Sequence, residues 1–250
     1  MFICWFLIAC GLDPMGYEPG ADSDNSNSDE VDRGDPVDNI VYPGSDEVGV
    51  LIYKGHDGQA LAATSILRDT LSSDGWQVSS TFDFPSSFEG VRLVILSNPG
   101  GMAADDELFS DAQIASIQTA LDNGTRFLIG LEPDNCASSS AYDLMDALDT
   151  PQIFDGNSMA TSTVVTLGTV DETVQPMADI SILSFRGPCY LTDGAGWMVK
   201  NGSNQVVAAR YQKGNAGDII MVGDLDFLMD GAIEEADNEQ FARNLAQVTP

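Results

Sequence analysis

Apolar positions in the first half of the chain form short continuous runs that alternate with stretches of helical spacing. Four runs have the composition of strands buried in a sheet: Val48–Tyr53, Trp76–Phe84, Val91–Leu96 and Arg126–Leu131. Helical spacing covers residues 58–71, 111–121 and 139–149, and Ser110 with Gln113 makes a capping-box pattern before the second. This order of strands and helices predicts an α/β fold with a doubly wound, mostly parallel sheet.

After Pro151 the pattern changes to short strands separated by Gly, Asn and Asp turns. They are Thr163–Leu167, Ile180–Phe185, Cys189–Thr192, Trp197–Lys200 and Gln205–Tyr211. Asp218–Val222 returns to the buried parallel type, and Glu239–Leu245 predicts a terminal helix that packs back on the sheet. The carboxyl half therefore adds an antiparallel β extension. Trp76 and Trp197 are interpreted as packing residues.

Residues 1–10 are uncharged and almost wholly apolar, and they end in Leu7-Ile8-Ala9-Cys10. These four residues resemble the lipobox of bacterial lipoprotein signal peptides. The resemblance implies cleavage before Cys10 and lipidation of Cys10, which becomes the first residue of an exported chain. The segment lacks the Lys or Arg that usually precedes the apolar run. An ordinary cleaved signal and a chance apolar start are the alternatives.

Residues 11–47 have the composition of a disordered spacer. They contain eleven acidic residues, a single Arg and many Ser, Asn, Gly and Pro, without apolar periodicity. Such a segment cannot bury enough apolar surface to offset its ordering entropy. It lacks the ligand spacing and turn glycine of a calcium loop. We expect a signal at 1–10, an acidic spacer at 11–47 and a folded domain at 48–250.

Charge restricts the partners. Thirty-nine acidic residues against ten basic ones give a formal net charge of −29. This field repels phosphate backbones, so nucleic acid is not expected as a partner, and attachment to a membrane is expected through the lipid on Cys10 instead. A single histidine also makes His-based zinc sites and a Cys–His nucleophile pair improbable on composition alone.

Two cysteines remain in the expected mature domain, Cys136 and Cys189. Cysteines of an exported domain are usually bridged, so a Cys136–Cys189 disulfide is predicted. Two separate buried thiols are the alternative.

Several motifs resemble the class I glutamine amidotransferase-like superfamily. The first is the third strand with its Asn-Pro-Gly-Gly ending (98–101), followed by a helix and the strand Phe127–Glu132. Three carboxyl-terminal segments are similar to one uncharacterised branch, found in gliding-motility and ABC-transport auxiliary proteins and related in fold to an intraflagellar transport subunit. They are Arg210–Gly214, Asp218–Asp224 and Asp237–Asn244. The resemblance spans residues 48–250 and implies a flavodoxin-like sheet.

Catalytic members of that superfamily carry a Cys at a strand-to-helix elbow and a His–Glu pair late in the chain. Here Glu132 stands at the elbow, and the following Pro133 has no amide N–H for an oxyanion hole. Cys136 lies four residues farther on, and the single His56 follows the first strand. Glutaminase chemistry is therefore not expected.

Ligands of doubly wound sheets bind beyond the carboxyl ends of the strands. The ligand-binding candidates at that edge are His56, Asp57, Asn98, Gly100, Gly101, Glu132, Asp134 and Asn135. Glu132, Asp224 and Asp226 are candidate ligands of a divalent cation, and no other cofactor is expected.

Each candidate has a plainer interpretation. A single His in a Gly-rich loop is more often a surface side chain or cap than a base or ligand. Residues 98–101 form either an anion cradle or a tight turn. Asp224 either binds a cation or caps the following turn through backbone N–H groups.

We expect a non-catalytic binding or interaction module, lipid-tethered in the bacterial cell envelope and partnered by a protein of an envelope or membrane complex. The alternative is a carboxylate- or metal-dependent hydrolase at the same edge of the sheet.

Overall fold

The computed structural model describes residues 49–247, apart from 57, 59, 60, 62, 101–106, 152–153, 159–164, 172–173, 175, 193–195 and 214–216. The predicted signal, Cys10 and the acidic spacer lie outside the described residues. Within the described part, no helix has the length and apolarity needed to cross a membrane.

The described residues fold as an α/β structure around one mixed sheet. The strands are β1 (Gly49–Tyr53), β2 (Gln77–Thr81), β3 (Val91–Ser97), β4 (Arg126–Gly130), β5 (Phe154–Ser158), β6 (Val165–Val170), β7 (Ile182–Arg186), β8 (Cys189–Leu191), β9 (Trp197–Lys200), β10 (Val206–Lys213) and β11 (Gly217–Val222). The helices are α1 (Ser65–Ser73), α2 (Asp111–Asp122), α3 (Ser139–Ala147) and α4 (Asn238–Ala246), with a 3₁₀ turn at Asp226–Leu228.

The strand order confirms the predicted fold class. β2, β1, β3, β4 and β11 lie side by side in that order and all pair in parallel. This is the flavodoxin-like order, whose switch point lies between β1 and β3. β10 then pairs with β11 antiparallel, and β9, β6 and β7 continue the sheet, while β8 pairs with β5 and β10. The carboxyl half is therefore the expected antiparallel extension.

Alternate residues of the parallel strands face two separate apolar layers. Val50 and Ile52 belong to a layer that α1 and α4 cover, through residues such as Leu71 and Phe241. Leu51 and Tyr53 belong to the other layer, which α2 and α3 cover. Burial on both faces explains why the parallel strands are continuous apolar runs in the sequence.

Two predicted elements need correction, and two elements were not predicted. The helix expected over 58–71 begins only at Ser65. The loop before it lies against the sheet: a Cβ at Gly58 would come within 2.4 Å of the Ser97 carbonyl oxygen. The strand expected over 76–84 ends at Thr81, where its hydroxyl accepts from the Asp83 N–H and turns the chain. β5 and the 3₁₀ turn were not predicted.

The observed helix caps agree better with the sequence-based prediction than these element bounds do. The Ser110 side chain accepts from the Gln113 N–H, and the Gln113 side chain accepts from the Ser110 N–H, as the capping-box pattern predicts. Ser138 caps α3 by accepting from the Ala141 N–H. Both caps fix the start of a helix that follows a loop at the carboxyl edge of the sheet.

A buried ion pair joins the parallel sheet to the last helix. Arg126, 1 % exposed, donates two hydrogen bonds to the Asp218 carboxylate and two more to the carbonyl oxygens of Asn244 and Leu245. Arg210 also donates to Asp218, at 2.6 Å. The Arg126 guanidinium thus caps the carboxyl end of α4, where the unpaired carbonyls of a helix favour a cation.

Candidate functional site

The loops that follow β1, β3, β4 and β11 meet at the carboxyl edge of the parallel sheet. The Gly100 N–H donates to the His56 carbonyl, which joins the first two loops. The Asn98 side-chain oxygen accepts from the Glu132 N–H at 3.2 Å and from the Asn135 side chain at 2.9 Å, which joins the second and third. The structure therefore places these candidate residues on one continuous edge.

Three carboxyl groups come together where β4 and β11 end. Oxygens of Glu132, Asp224 and Asp226 all lie within 4.8 Å of one another. We call these three residues the carboxylate cluster. Asp224 is fully buried, and the other two are partly buried. Carboxylate oxygens at this spacing are suited either to a divalent cation or to a shared proton.

Burial and mutual repulsion hold protons on the cluster. Burial, and then the charges of Asp224, Asp226 and Asp134, raise the pKa of Glu132 to about 9, although a backbone hydrogen bond from Leu225 opposes the shift. Burial likewise raises the pKa of Asp224 to about 7 against two opposing backbone hydrogen bonds, and burial raises the pKa of Asp226. At neutral pH the Glu132 carboxyl is therefore protonated in the absence of a bound cation.

Asp224 also has the structural role that the plainer interpretation predicts. Its two carboxylate oxygens accept from the backbone N–H groups of Arg186 and Asp226, so it bonds the first residue of the 3₁₀ turn and ties the end of β7 to the loop that follows β11. These bonds use one oxygen each, and a carboxylate oxygen can accept further contacts. This structural role and a ligand role at the cluster are therefore compatible.

The predicted disulfide is present beside the cluster. Cys136 and Cys189 are bonded, with their Cα atoms 5.3 Å apart. The Cys189 sulfur lies 3.2 Å from the Glu132 carbonyl oxygen, a packing contact because a disulfide sulfur has no proton to donate. At Gly223 a Cβ would lie 1.9 Å from the Cys189 carbonyl oxygen, so only glycine allows β8 this close to the cluster. The bond fixes the loop that carries Glu132.

The loop after β3 has the geometry of a tight turn. Asn98 is fully buried at φ +47°, a left-handed conformation that Asn tolerates, and its N–H donates to the Gly130 carbonyl. The Gly100 N–H is already used by His56, and the Ser138 hydroxyl donates to the Pro99 carbonyl. Because that N–H is engaged, the geometry favours the tight-turn interpretation over an anion cradle at Gly100.

His56 is not the surface side chain that its Gly-rich loop predicts. It is 3 % exposed, stacks on Phe109 at a centroid distance of 3.9 Å, and its Nδ1 lies 2.6 Å from the Tyr53 hydroxyl. Burial, and then the charges of Glu107 and Asp83, raise the pKa of Tyr53 well above its usual value, so its hydroxyl stays protonated and shares a hydrogen bond with Nδ1. The correction has a simple cause: aromatic residues distant in sequence enclose the imidazole.

His56 lies on the wall of a cleft beside the switch point between β1 and β3. We call it the aromatic cleft, with a cavity volume of about 620 Å³. It is lined by Tyr53, Lys54, Gly55, His56, Gly58, Phe82, Asp83, Phe84, Glu107 and Gln113. It does not include the carboxylate cluster, so the carboxyl edge holds two separate groups of candidate residues.

The remaining predicted site residues contribute little to the carboxylate cluster or to the aromatic cleft. Asp134 is exposed and acts on the cluster only through its charge. Asn135 is bonded to Asn98. Asp57 and Gly101 lie outside the described residues.

Sequence reasoning missed most of the aromatic cleft. Tyr53 had been placed in a buried strand, and Phe82 and Phe84 in a second one, without a functional role. The available sequence signal was the pair of Phe residues at 82 and 84, which lie beyond the end of β2 and line the cleft. Glu107 gave no such signal because its contact with the cleft depends on the long connection between β3 and α2.

No family model and no curated protein matches the chain. Among solved structures, the N-terminal domain of mmIFT52 is similar over 77 % of this chain and 92 % of that domain, with 17 % identity and a TM-score of 0.60. Cytoplasmic protein STM3548 from Salmonella typhimurium is similar over 80 % of this chain and 98 % of that one, with 11 % identity and a TM-score of 0.58.

A putative ThuA-like protein from Bacteroides uniformis ATCC 8492 covers 84 % of this chain and 94 % of its own, with 13 % identity and a TM-score of 0.49. At such identities a likeness shows the fold alone. With the strand order, the likeness to the first two structures establishes the flavodoxin-like fold that the sequence predicts.

Proposed function

We propose that the chain is a non-catalytic binding module, exported and lipid-tethered in the bacterial cell envelope, which serves a protein complex there. The observation that carries the proposal is the chemistry of the elbow after β4. Glu132 occupies the position of the nucleophilic Cys, and a carboxylate cannot form the thioester that glutamine hydrolysis in this superfamily requires.

The disulfide supports the same conclusion. Cys136 is the thiol nearest to the elbow in sequence, and its sulfur is bonded to Cys189. Cys136 is 5 % exposed and Cys189 is fully buried, so the bond is shielded from reductants in solution. His56 cannot stand in as the base of such a pair, because it lies in the aromatic cleft after β1 and contacts Tyr53 and Phe109.

Export and tethering rest on two features. Disulfides persist in oxidising compartments such as the periplasm and the cell surface. The lipobox-like Leu7–Cys10 and the acidic spacer supply an anchor and a length of chain that lets a domain stand away from its membrane. Lipidation of Cys10 is the specific form of attachment that we propose.

The motifs shared with the uncharacterised branch are explained by architecture. Asp224 bonds the first residue of the turn after β11, and Phe227 is buried between Phe185 and Phe241. Asn238 is fully buried and bonds to the backbone of Ser184 and Ala232. These motif residues hold β7, the 3₁₀ turn and α4 together. A motif with such a structural role supports membership of a branch in which the fold serves protein interaction.

An ammonia-release assay tests the non-catalytic part of this proposal. With glutamine as substrate, we expect no release above background from the oxidised protein, from the reduced protein or from Cys136→Ala. Glutamine-dependent release that disappears in Cys136→Ala would overturn it. Reduction is included because it frees the Cys136 thiol, so a latent nucleophile would be detected.

The carboxylate cluster favours one second candidate, a divalent-cation-dependent hydrolase. Three carboxylates within 4.8 Å are the oxygen ligands that Mg²⁺ and Ca²⁺ prefer. Since Glu132 is protonated at neutral pH, a cation bound there would displace its proton. Calorimetry with Mg²⁺ or Ca²⁺ in two buffers of different ionisation enthalpy would show this proton release. If the chain is such a hydrolase, Glu132→Gln and Asp226→Asn should abolish the proton release on cation binding. The exposed Asp143→Asn should retain this proton release.

A further inference from the structure

The aromatic cleft has a built and rigid inner wall. The Tyr53 hydroxyl is bonded to His56, His56 is stacked on Phe109, and Phe84 meets Tyr53 edge to face at 5.7 Å. At Gly55 a Cβ would lie 2.2 Å from the Tyr53 hydroxyl oxygen, so the loop at the base of the cleft needs glycine. A wall whose side chains hold one another in place loses little entropy when it binds a ligand.

One residue on the lining of the cleft is both aromatic and strongly exposed. Among the described residues, only Phe82 and Leu108 are large apolar side chains with high exposure, at 64 % and 49 %. Phe82 lines the cleft, and Leu108 directly follows Glu107, which also lines it. An exposed aromatic side chain on the lining of a cleft is typical of a protein interaction site.

The charge around the cleft selects the partner. Asp83 and Glu107 are exposed carboxylates on its lining, and both act on Tyr53 strongly enough to contribute to its raised pKa. Among the described lining residues, the basic ones are Lys54 and His56, and Lys54 Nζ lies 5.9 Å from the Phe82 ring centroid. The lining is therefore net negative, on a chain whose formal charge is −29. A cationic partner is attracted, and an acidic one is repelled.

We propose that the aromatic cleft is the docking site for an Arg or Lys side chain, presented by a partner protein on a segment with flanking apolar residues. This inference rests on the proposed function, because it names the chemistry of the partner that such a module binds. The cationic group lies against the Phe82 and Phe84 rings and pairs with Glu107 and Asp83. The flanking apolar residues cover Phe82 and Leu108.

The chain's own Lys54 Nζ lies 5.9 Å from the centroid of the Phe82 ring, so this ring is compatible with a cation nearby. A guanidinium is planar and weakly hydrated, so it can stack on an aromatic ring and pair with a carboxylate at the same time. An ammonium makes the same pairings as a point charge and without the stacking. Arg is therefore the preferred side chain of the partner.

The test uses the full chain and a defined probe, the peptide acetyl-Ala-Leu-Arg-Leu-Ala-amide, with Glu in place of Arg as control. His56 is the single histidine of the chain, so its ring-proton NMR signals report on the cleft without ambiguity. We expect the Arg peptide to shift these signals with saturation and the Glu peptide to leave them unchanged.

Variants then separate the cleft from general electrostatic attraction. Phe82→Ser and Glu107→Gln change exposed side chains, so both proteins are expected to fold. We expect each to weaken Arg-peptide binding about tenfold or more, a change equal to 1.4 kcal/mol. Asp122→Asn and Asp146→Asn remove the same charge from exposed positions on α2 and α3, and we expect them to bind within about twofold of the unmodified chain.

Three results would overturn the inference: no saturable shift of the His56 signals, equal losses in the cleft and control variants, or unchanged binding by Phe82→Ser. Copurification of the chain with its envelope partner distinguishes this failure from failure of the proposed function. A partner that stays bound to Phe82→Ser would contradict the docking site and leave the binding module in place. If the unmodified chain has no specific partner, both proposals fail.

Discussion

The carboxylate cluster forms where two parallel neighbours, β4 and β11, end side by side. Glu132, Asp224 and Asp226 were identified from the ends of two strands, and the structure brings them within 4.8 Å because β4 and β11 are parallel neighbours. His56 was expected at the surface and is buried. Its neighbours Tyr53, Phe84 and Phe109 come from three different segments, and a single chain pattern cannot report that convergence.

The proton on Glu132 makes stability depend on pH. Its folded pKa of about 9 lies above the ordinary value of 4.5, so the folded state keeps a proton that the unfolded chain releases. This contribution is complete at low pH and is lost as pH rises from about 4.5 to 9. At about 1.4 kcal/mol per pKa unit, it amounts to roughly 3 kcal/mol between pH 4.5 and 7.

Glu132→Gln should therefore flatten the fall in unfolding free energy between pH 5 and 9, measured by urea denaturation in the presence of a chelator. Asp143→Asn, an exposed change of the same type, should leave the slope as it is in the unmodified chain. An equal dependence of the unfolding free energy on pH in Glu132→Gln and in the unmodified chain would contradict the raised pKa of Glu132.

The buried pair of Arg126 and Asp218 allows a matched comparison with an exposed one. Asp218→Asn leaves Arg126 buried beside a neutral partner and should lower the free energy of unfolding by about 3 kcal/mol. Asp74→Asn breaks the half-exposed pair with Arg243 and should change it by less than about 1 kcal/mol. Chemical denaturation of both variants checks this, and similar losses would contradict a larger stabilisation by the buried Arg126–Asp218 pair.

At the scale of elements, apolar continuity predicted the parallel strands well, because burial on both faces leaves an uninterrupted apolar run. The start of α1 was predicted poorly. Leu61 is buried in the loop that precedes the helix, so its apolar side chain satisfied the helical spacing while serving a different packing role. β5 escaped notice because Phe154–Ser158, with sequence FDGNS, carries turn residues in place of an apolar run.

The attachment of α4 depends on Asn238. Its side chain accepts from the Ser184 N–H and donates to the carbonyls of Ser184 and Ala232. Asn238→Ala leaves buried backbone groups unpaired and should lower the free energy of unfolding by about 2–3 kcal/mol.

Hydrogen exchange should locate that loss, with faster exchange in α4 and β7 and unchanged exchange in β1. Gln240→Ala, an exposed substitution on the same helix, should have little effect. Uniformly faster exchange throughout the sheet in Asn238→Ala would contradict a local role.

At the scale of the whole molecule, the strand pattern predicted the fold class, which the strand order confirms. The division into an anchor, an acidic spacer and a folded domain stays a prediction from composition, and the composition leaves the partner open. The aromatic cleft arises where loops after β1 and β2 meet the connection from β3 to α2. Loop positions of this kind depend on the assembled sheet, so local patterns do not encode them.

The spacer prediction can be tested by limited proteolysis. Because residues 11–47 lack apolar periodicity, a protease should trim the chain to a start near residue 48 and leave the melting temperature unchanged. A large fall in melting temperature after trimming would show that the segment packs on the domain.

The anchor has its own test. Cys10→Ser should release the protein from the membrane fraction and block maturation of the precursor. Continued membrane association of this variant would contradict lipidation at Cys10.

Quantitative affinity purification of the full chain from its native membranes tests the central claim most directly. The control is residues 1–48 fused to an unrelated folded domain, which keeps the proposed tether and removes the module. A binding module predicts a specific envelope protein that copurifies with the full chain and is absent from the control. Identical protein profiles from the full chain and the control would contradict the account.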